Sequence, residues 1–104
     1  MKCLKILNLS GTAIKELPHS IAHLKDLREL HLRECKNLEI LPSSICTLTS
    51  LGYLDLRDCS KLEILPENLG NLYCLKDLLV DRIAISQLPS TMMHLDELEM
   101  LSCR

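Results

Sequence analysis

Leucine recurs along this chain in a pattern that repeats every 23 or 24 residues. Each copy opens with apolar residues at the spacing LxxLxL, as in Leu27, Leu30 and Leu32, with Val80 and Cys103 at the third position of the last two copies. The copies start at Leu4, Leu27, Leu51, Leu75 and Leu98. A Leu-Pro dipeptide closes each full copy, at Leu17-Pro18, Leu41-Pro42, Leu65-Pro66 and Leu88-Pro89. A fixed period of this length indicates a repeat architecture in which each copy is one structural unit.

Each copy predicts a short strand followed by a compact return segment. In LxxLxL the second and third leucines alternate with other residues, which is the period of a strand with one buried face. The later proline holds its predecessor in extended geometry. The apolar residues after it are three apart, as in Ile45, Leu48 and Leu51. This spacing favours a 3₁₀ turn over a long α-helix, because 3₁₀ side chains at i and i+3 lie in line.

A single copy cannot bury its leucines, so the copies must stack as coils. Stacking places equivalent strands side by side, about 4.8 Å apart, in one parallel sheet. The predicted fold class is therefore α/β: a curved solenoid with short parallel strands on the concave face and 3₁₀ or short helical turns on the convex side. The predicted coils of this single segment, 1–104, cover residues 4–26, 27–50, 51–74, 75–97 and, in part, 98–104.

The amino-acid composition agrees with a core made of stacked coils of the same shape. About a quarter of the 104 residues are leucine, and there is no Phe or Trp to fill an irregular core. Six cysteines could suggest a disulfide framework, but the repeat explains most of them. Cys35 and Cys59 occupy the same position after the strand, where a small side chain fits under the turn, and we expect their thiols to stay free. Cys103 should pack in the core, whereas Cys3 and Cys74 should be superficial.

Several chemistries are disfavoured by charge and spacing. The net charge is −2 and no basic run appears, which argues against nucleic acid as a partner. No stretch approaches the roughly 20 apolar residues of a membrane span. His19 and His23 are four apart, but other coils carry unrelated polar residues at these positions, so we interpret both as surface residues rather than metal ligands. Cys46 and Cys74 lack an apparent base. We therefore expect no catalytic residue, metal or cofactor in this segment.

Candidate binding residues lie on the solvent side of the predicted sheet, where side chains change from coil to coil. Tyr53 and Leu79 are the predicted apolar anchors for a protein partner. Their predicted polar neighbours are Arg33, Arg57, His31 and Asp55. The alternative is a solvated face whose charges pair with one another, and for any single residue that alternative is favoured. Tyr53→Ala together with Arg57→Glu is expected to impair partner recognition without unfolding the coils.

The run LRELHLRECKNLEILPSSICTLTSL, residues 27–51, resembles the leucine-rich repeats of plant intracellular nucleotide-binding disease-resistance proteins. The segment LNLSGTAIKELPHSI, residues 7–21, and the cysteine of CxxLxxLP are similar to the class that carries a Toll/interleukin-receptor-like domain. The resemblance extends over the whole chain, which looks like a piece of a longer receptor.

The resemblance implies a non-enzymatic recognition role in plant innate immunity. The expected partners are a pathogen effector, or a host protein that it modifies, and the nucleotide-binding domain of the parent receptor, which the same repeats would contact in the inactive state. The implied location is the cytoplasm, with the nucleus as a second location. The alternative is a general intracellular scaffold of the Ras-associated type. Such repeats usually keep asparagine at the corner where this chain has Thr12, Cys35, Cys59 and Ile83.

Overall fold

A computed structural model describes residues 4–80 and the backbone of the strand Met100–Ser102. In this part of the chain, short strands form one parallel sheet in chain order. The strands are β1 (Ile6–Asn8), β2 (Glu29–His31), β3 (Tyr53–Asp55), β4 (Asp77–Leu79) and β5 (Met100–Ser102). Return segments contain 3₁₀ turns at His19–His23, Ser43–Thr47 and Glu67–Asn71. The predicted fold class is confirmed.

The register of the sheet follows the leucine repeat. Leu7 pairs with Leu30, Leu30 with Leu54, and Leu54 with Leu78. The central leucine of each strand therefore lies beside its equivalent, and Leu30, Leu54 and Leu78 are fully buried. Because side chains alternate between the faces of a strand, the residues on either side of each central leucine are directed to the opposite face, the concave face of the solenoid.

In the return segments, apolar residues stand three positions apart because the backbone forms successive hydrogen bonds between residues i and i+3. The amide of Ile21 donates to the carbonyl of Pro18 at 3.1 Å, Leu24 to Ile21 at 3.0 Å, and Leu27 to Leu24 at 3.0 Å. The same pattern follows Pro42 and Pro66. The residues that make these bonds also supply the apolar side chains of the convex layer, so backbone and core share one period of three.

The corners after β1, β2 and β3 place one residue each in the left-handed region. Gly11, Glu34 and Asp58 are equivalent in the repeat and have φ of 76°, 61° and 64°. In this conformation the amide of Gly11 donates to the carbonyl of Arg33, and that of Glu34 donates to Arg57, both at 2.8 Å. These two corners therefore link neighbouring coils through the backbone, with glycine in one and glutamate in the other.

Gly11→Ala should lower the free energy of unfolding by about 1 kcal/mol, because positive φ is unfavourable for a residue with a Cβ. A Cβ at Gly11 would meet nothing within 4 Å, so the cost is backbone strain rather than a clash. Glu34→Gly should raise the free energy of unfolding, because glycine adopts positive φ without that strain. Gly52→Ala is the matched control, since Gly52 lies outside the left-handed region and its Cβ would make ordinary contacts. Urea unfolding measures all three, and equal effects of Gly11→Ala and Gly52→Ala would contradict the strain argument.

The cysteines after the strands form a ladder of hydrogen bonds between coils. The thiol of Cys35 donates to the carbonyl of Leu9 at 3.1 Å, and that of Cys59 donates to the carbonyl of Leu32 at 3.0 Å. Burial raises the pKa of Cys59 to about 11, so this thiol stays protonated at neutral pH and remains a donor. Both cysteines are buried and free, as predicted. Cys74 is exposed as expected, whereas Cys3 and Cys103 lie outside the described residues.

Candidate functional site

The middle of the concave face carries a cluster of interacting polar and aromatic side chains on β2, β3 and the residues that follow. We call Glu29, His31, Tyr53, Asp55 and Arg57 the polar cluster. The ring of Tyr53 lies against that of His31, with centroids 4.8 Å apart and an interplanar angle of 32°. His31 Nε2 is 3.0 Å from Glu29 Oε1. These contacts connect two neighbouring coils across the face.

Asp55 and Arg57 form a two-point ion pair within the polar cluster. Arg57 Nε donates to Asp55 Oδ1 at 2.9 Å, and its Nη2 donates to Oδ2 at 2.8 Å. The backbone amide of Arg57 also donates to Oδ1, at 3.1 Å. Only 2% of Asp55 is exposed. Burial by itself raises the pKa of Asp55, but the hydrogen bonds from Arg57 outweigh it and hold the pKa below its ordinary value, so the carboxylate stays charged.

In two of the described coils, the last residue of the strand accepts a hydrogen bond from the backbone amide two residues on. In the first coil, Asn8 Oδ1 accepts the amide of Ser10 at 3.0 Å, as Asp55 accepts that of Arg57. His31 does not provide such an acceptor, and the amide of Arg33 donates instead to the Ser10 hydroxyl at 3.1 Å. Part of the role of Asp55 is therefore to hold the end of its strand.

The structure brings four of the six predicted site residues together. His31, Tyr53, Asp55 and Arg57 belong to the polar cluster. Arg33 lies in the adjacent coil, exposed, and its side chain has no hydrogen bond or ion pair within the described part of the chain. Whether these residues contact a partner remains a prediction.

Two expectations about the predicted site are wrong. Leu79 is only 6% exposed and Asp55 only 2%, so neither presents an open side chain to a partner. Arg57 covers the carboxylate of Asp55. Arg57→Glu is also not a neutral probe of binding, because it would place a second carboxylate beside buried Asp55.

Tyr53 remains a suitable contact residue. Its side chain is partly exposed beside His31. Burial and the neighbouring charge of Asp55 raise the pKa of Tyr53 above its ordinary value. The hydroxyl therefore stays protonated at neutral pH and can donate a hydrogen bond.

A second set of concave-face residues was missed by sequence analysis. Lys5, Arg28, Gly52 and Lys76 are equivalent in the repeat, each directly after the opening leucine. A depression of about 570 Å³ lies around Gly52 and is lined by Arg28, Glu29, Ser50, Gly52, Tyr53, Cys74, Lys76 and Asp77. The opening LxxL has two residues between its leucines, and the sequence analysis compared only the second of them from coil to coil. Comparing the first as well would have identified these residues.

Two exposed isoleucines mark another surface. Ile40 and Ile64 occupy the same place in adjacent coils, pair in a parallel bridge, and are 57% and 75% exposed. They line a depression of about 650 Å³ together with Glu39, Leu41, Lys61, Glu63 and Pro66. The duplicated LEILP of residues 38–42 and 62–66 was the available signal.

The described residues contain no group of three or more His, Cys, Asp or Glu side chains arranged to hold a metal ion. His19 and His23 are exposed, as predicted. Burial raises the pKa of Cys46, which keeps that thiol in its protonated, less nucleophilic form. Within the same residues, no helix combines the length and apolar character that crossing a bilayer requires.

An open parallel sheet backed by 3₁₀ turns, with a cluster of interacting side chains on its concave face, is typical of solenoid proteins that bind other proteins. The family model for the leucine-rich repeat region matches residues 1–78, three quarters of the chain. The chain belongs to the leucine-rich repeat region family, whose members form protein–protein interaction domains. Leucine-rich repeat domains are generally non-enzymatic scaffolds.

Solved structures of leucine-rich repeat proteins share this fold. InlJ from Listeria monocytogenes, whose functional domain includes a cysteine ladder, is 23% identical with a TM-score of 0.81 over 97% of this chain. The ectodomain of the Arabidopsis thaliana membrane receptor kinase GASSHO1/SCHENGEN3, in complex with CASPARIAN STRIP INTEGRITY FACTOR 2, is 27% identical with a TM-score of 0.84 over 99%. The Leptospira interrogans protein LIC12759 is 28% identical with a TM-score of 0.62 over 94%.

The matches cover much less of those proteins than of this chain. They span 20% of the InlJ chain, 13% of the GASSHO1/SCHENGEN3 chain and 31% of the LIC12759 chain. No curated protein matches this sequence.

Proposed function

We propose that this chain is the recognition segment of a plant intracellular innate immune receptor and that its concave face binds a protein. The polar cluster carries the proposal. Its Tyr53–His31 contact, the His31–Glu29 contact and the Asp55–Arg57 ion pair hold side chains in place before a partner arrives. A surface ordered in advance loses less conformational entropy on binding, and Tyr and Arg are frequent hot-spot residues.

The immune role is supported by the resemblance of residues 7–21 and 27–51 to plant disease-resistance proteins. In that role, a pathogen effector or a host protein that it modifies docks on the concave face. In the resting receptor, the same face contacts the nucleotide-binding domain of the parent protein. Binding of the ligand then shifts the receptor away from its inactive state, because the two partners compete for one surface. Nucleotide chemistry belongs to that other domain, and this segment needs no cofactor. The proposed location is the cytoplasm, and also the nucleus.

A variant that alters the face without breaking the buried ion pair tests this proposal. Tyr53→Ala with Arg33→Glu should abolish the cell-death response of the parent receptor to its pathogen in a leaf assay, or release that response without a pathogen if the resting contact is lost first. The physical reason is loss of an aromatic contact and reversal of an exposed charge; truncation of a hot-spot residue near the centre of an interface costs about 2 kcal/mol or more.

Lys61→Glu is the matched control, since it reverses one exposed charge away from the strands. Circular dichroism and thermal unfolding of the isolated variants establish that the coils remain folded. A normal response from the folded Tyr53→Ala, Arg33→Glu receptor would exclude this face as the binding surface. Sequencing the gene upstream of codon 1 provides an independent test of the receptor class, because a phosphate-binding loop motif is expected there.

A further inference from the structure

His31 ends β2 at a position where β1 and β3 carry a side chain that accepts a backbone hydrogen bond. Asn8 and Asp55 accept the amide two residues on, at 3.0 Å and 3.1 Å. His31 makes no such bond, and the hydroxyl of Ser10 in the preceding coil accepts the amide of Arg33 instead, at 3.1 Å. The strand end therefore does not require histidine. A residue that departs from the local pattern without a structural gain is a candidate for function.

The imidazole of His31 is held by two neighbouring side chains. Its Nε2 is 3.0 Å from Oε1 of Glu29, which lies two residues earlier on the same strand. Alternate side chains of a strand share one face, so this bond runs along β2 on the concave side. The ring of Tyr53 on β3 lies against the imidazole, with centroids 4.8 Å apart and an interplanar angle of 32°. The three side chains therefore form one connected unit across two coils.

The contact between Tyr53 and His31 is diagonal. In the register of the sheet, Tyr53 lies directly opposite Glu29, and His31 lies opposite Asp55. Asp55 is already bound by Arg57. Within the described part of the chain, the bond to Glu29 is the one hydrogen bond that the imidazole makes. Without the Glu29 oxygen, the imidazole could rotate, and the ring of Tyr53 would lose the fixed surface on which it packs.

We infer that Glu29 is a positioning residue of the concave face, which holds the imidazole of His31 where the ring of Tyr53 packs against it, so that a protein partner meets a fixed aromatic pair. This inference depends on the proposed function, because it explains how one contact on that face is prepared. Glu29 acts through His31 and does not need to touch the partner. Its contribution is to order two side chains before binding, which lowers the entropy cost of association.

Nuclear magnetic resonance of the free, full chain tests the positioning directly, at a pH well above the ordinary pKa of histidine. Glu29→Ala should move the imidazole nitrogen resonances of His31 and the ring proton resonances of Tyr53 toward those of unrestrained side chains. Glu29→Gln keeps a side-chain oxygen and should leave both sets close to those of the unmodified chain. Glu63→Ala is the matched control, because it removes an exposed glutamate away from the strands.

The leaf assay of the parent receptor then tests the consequence for recognition. Glu29→Ala should change the response in the same direction as Tyr53→Ala with Arg33→Glu, since affinity falls about two- to tenfold for each side chain that must be ordered on binding. Glu29→Gln should respond like the unmodified receptor, whereas it would fail if the Glu29 charge bound the partner directly. Glu29→Ala with His31→Ala should be no worse than His31→Ala alone, because Glu29 acts through His31.

Three results would overturn the inference: unmoved ring resonances in Glu29→Ala, a glutamine variant as impaired as the alanine variant, or additive effects of Glu29→Ala and His31→Ala. The Glu29 side chain is 43% exposed, so the alanine variant should unfold at the same temperature as the unmodified chain. A lower unfolding temperature with unmoved rings would assign Glu29 to the fold instead. The resonances of the free chain do not depend on the leaf assay of Tyr53 and Arg33, so failure of the positioning is distinguishable from failure of the proposed function.

Discussion

Arg57→Ala is expected to lower the free energy of unfolding by about 2 to 3 kcal/mol at pH 7, although the residue lies on the solvent side of the sheet. The variant would remove both side-chain donors from Asp55, whose exposure is 2% while Arg57 covers it, and would leave its carboxylate with only a backbone amide. Removing one partner of a fully buried pair costs about 3 to 5 kcal/mol. The loss expected for Arg57→Ala lies at or below the lower end of that range, because the Arg57 side chain is 27% exposed and the pair is not fully buried.

The loss should depend on pH in a direction that identifies Asp55 as the cause. With Arg57 present, the folded-state pKa of Asp55 lies below its ordinary value, so its contribution is complete above the unfolded pKa and is lost as pH falls through the folded pKa. Without Arg57, burial dominates and the folded pKa rises above the unfolded one. The variant then recovers stability as Asp55 takes up a proton. The difference between the two proteins should therefore be largest near pH 7 and smaller at pH 3.

Urea unfolding at the two pH values provides the measurement, and Arg33→Ala is the control. Arg33 occupies the same position one coil earlier, without an ion-pair partner among the described residues, and its removal should change stability by no more than about 0.5 kcal/mol. Asp55→Ala combined with Arg57→Ala should be less destabilised than Arg57→Ala alone, because no charge is left buried. Equal losses from Arg57→Ala and Arg33→Ala would contradict the role assigned to the pair.

The sequence was sufficient to predict the fold because one physical requirement determines most of it. Each coil must present the next with the same buried surface, so the leucine pattern specifies strand position and register at once. Leu30 and Leu54 pair as the repeat predicts. The spacing of three after each proline likewise predicts the 3₁₀ turns, because side-chain packing and backbone hydrogen bonds use the same positions.

The site was only partly predictable, because exposure of a strand residue depends on the side chains that pack around it. Asn8, His31, Asp55 and Leu79 are equivalent in the repeat, yet they range from exposed to buried. Asp55 is covered because Arg57, two residues away, forms an ion pair with it, whereas His31 at the equivalent position of the preceding coil stays partly exposed. An alignment of the repeats treats these residues as equivalent. Only the structure distinguishes an exposed side chain that a partner can contact from a buried one that stabilises the fold.

The role of Gly52 also could not be predicted from the sequence. Glycine in a repeat protein usually suggests a turn that needs positive φ, and Gly11 fits that explanation. Gly52 does not, since a Cβ would be tolerated there. The distinction needs the backbone conformation and the surrounding atoms, neither of which is available from one sequence.

Leu54→Ala should lower the free energy of unfolding by about 3 to 4 kcal/mol. Leu54 is fully buried, and its strand is paired on both sides with β2 and β4. The stacked backbone cannot collapse into the cavity without separating two coils, so the variant should incur both the transfer cost and the cavity cost of a large-to-small substitution. Urea unfolding followed by far-ultraviolet circular dichroism gives the difference in stability.

Ile64→Ala is the matched control, because it removes a branched aliphatic side chain from the adjacent part of the same coil. Its side chain is 75% exposed, so the expected change is within about 0.5 kcal/mol. A small effect at Leu54, or equal effects at the two positions, would mean that the central leucines do not form the contact surface between coils. The concave face would then lose its physical basis, because the strands that position Tyr53 and His31 are held in register by those leucines.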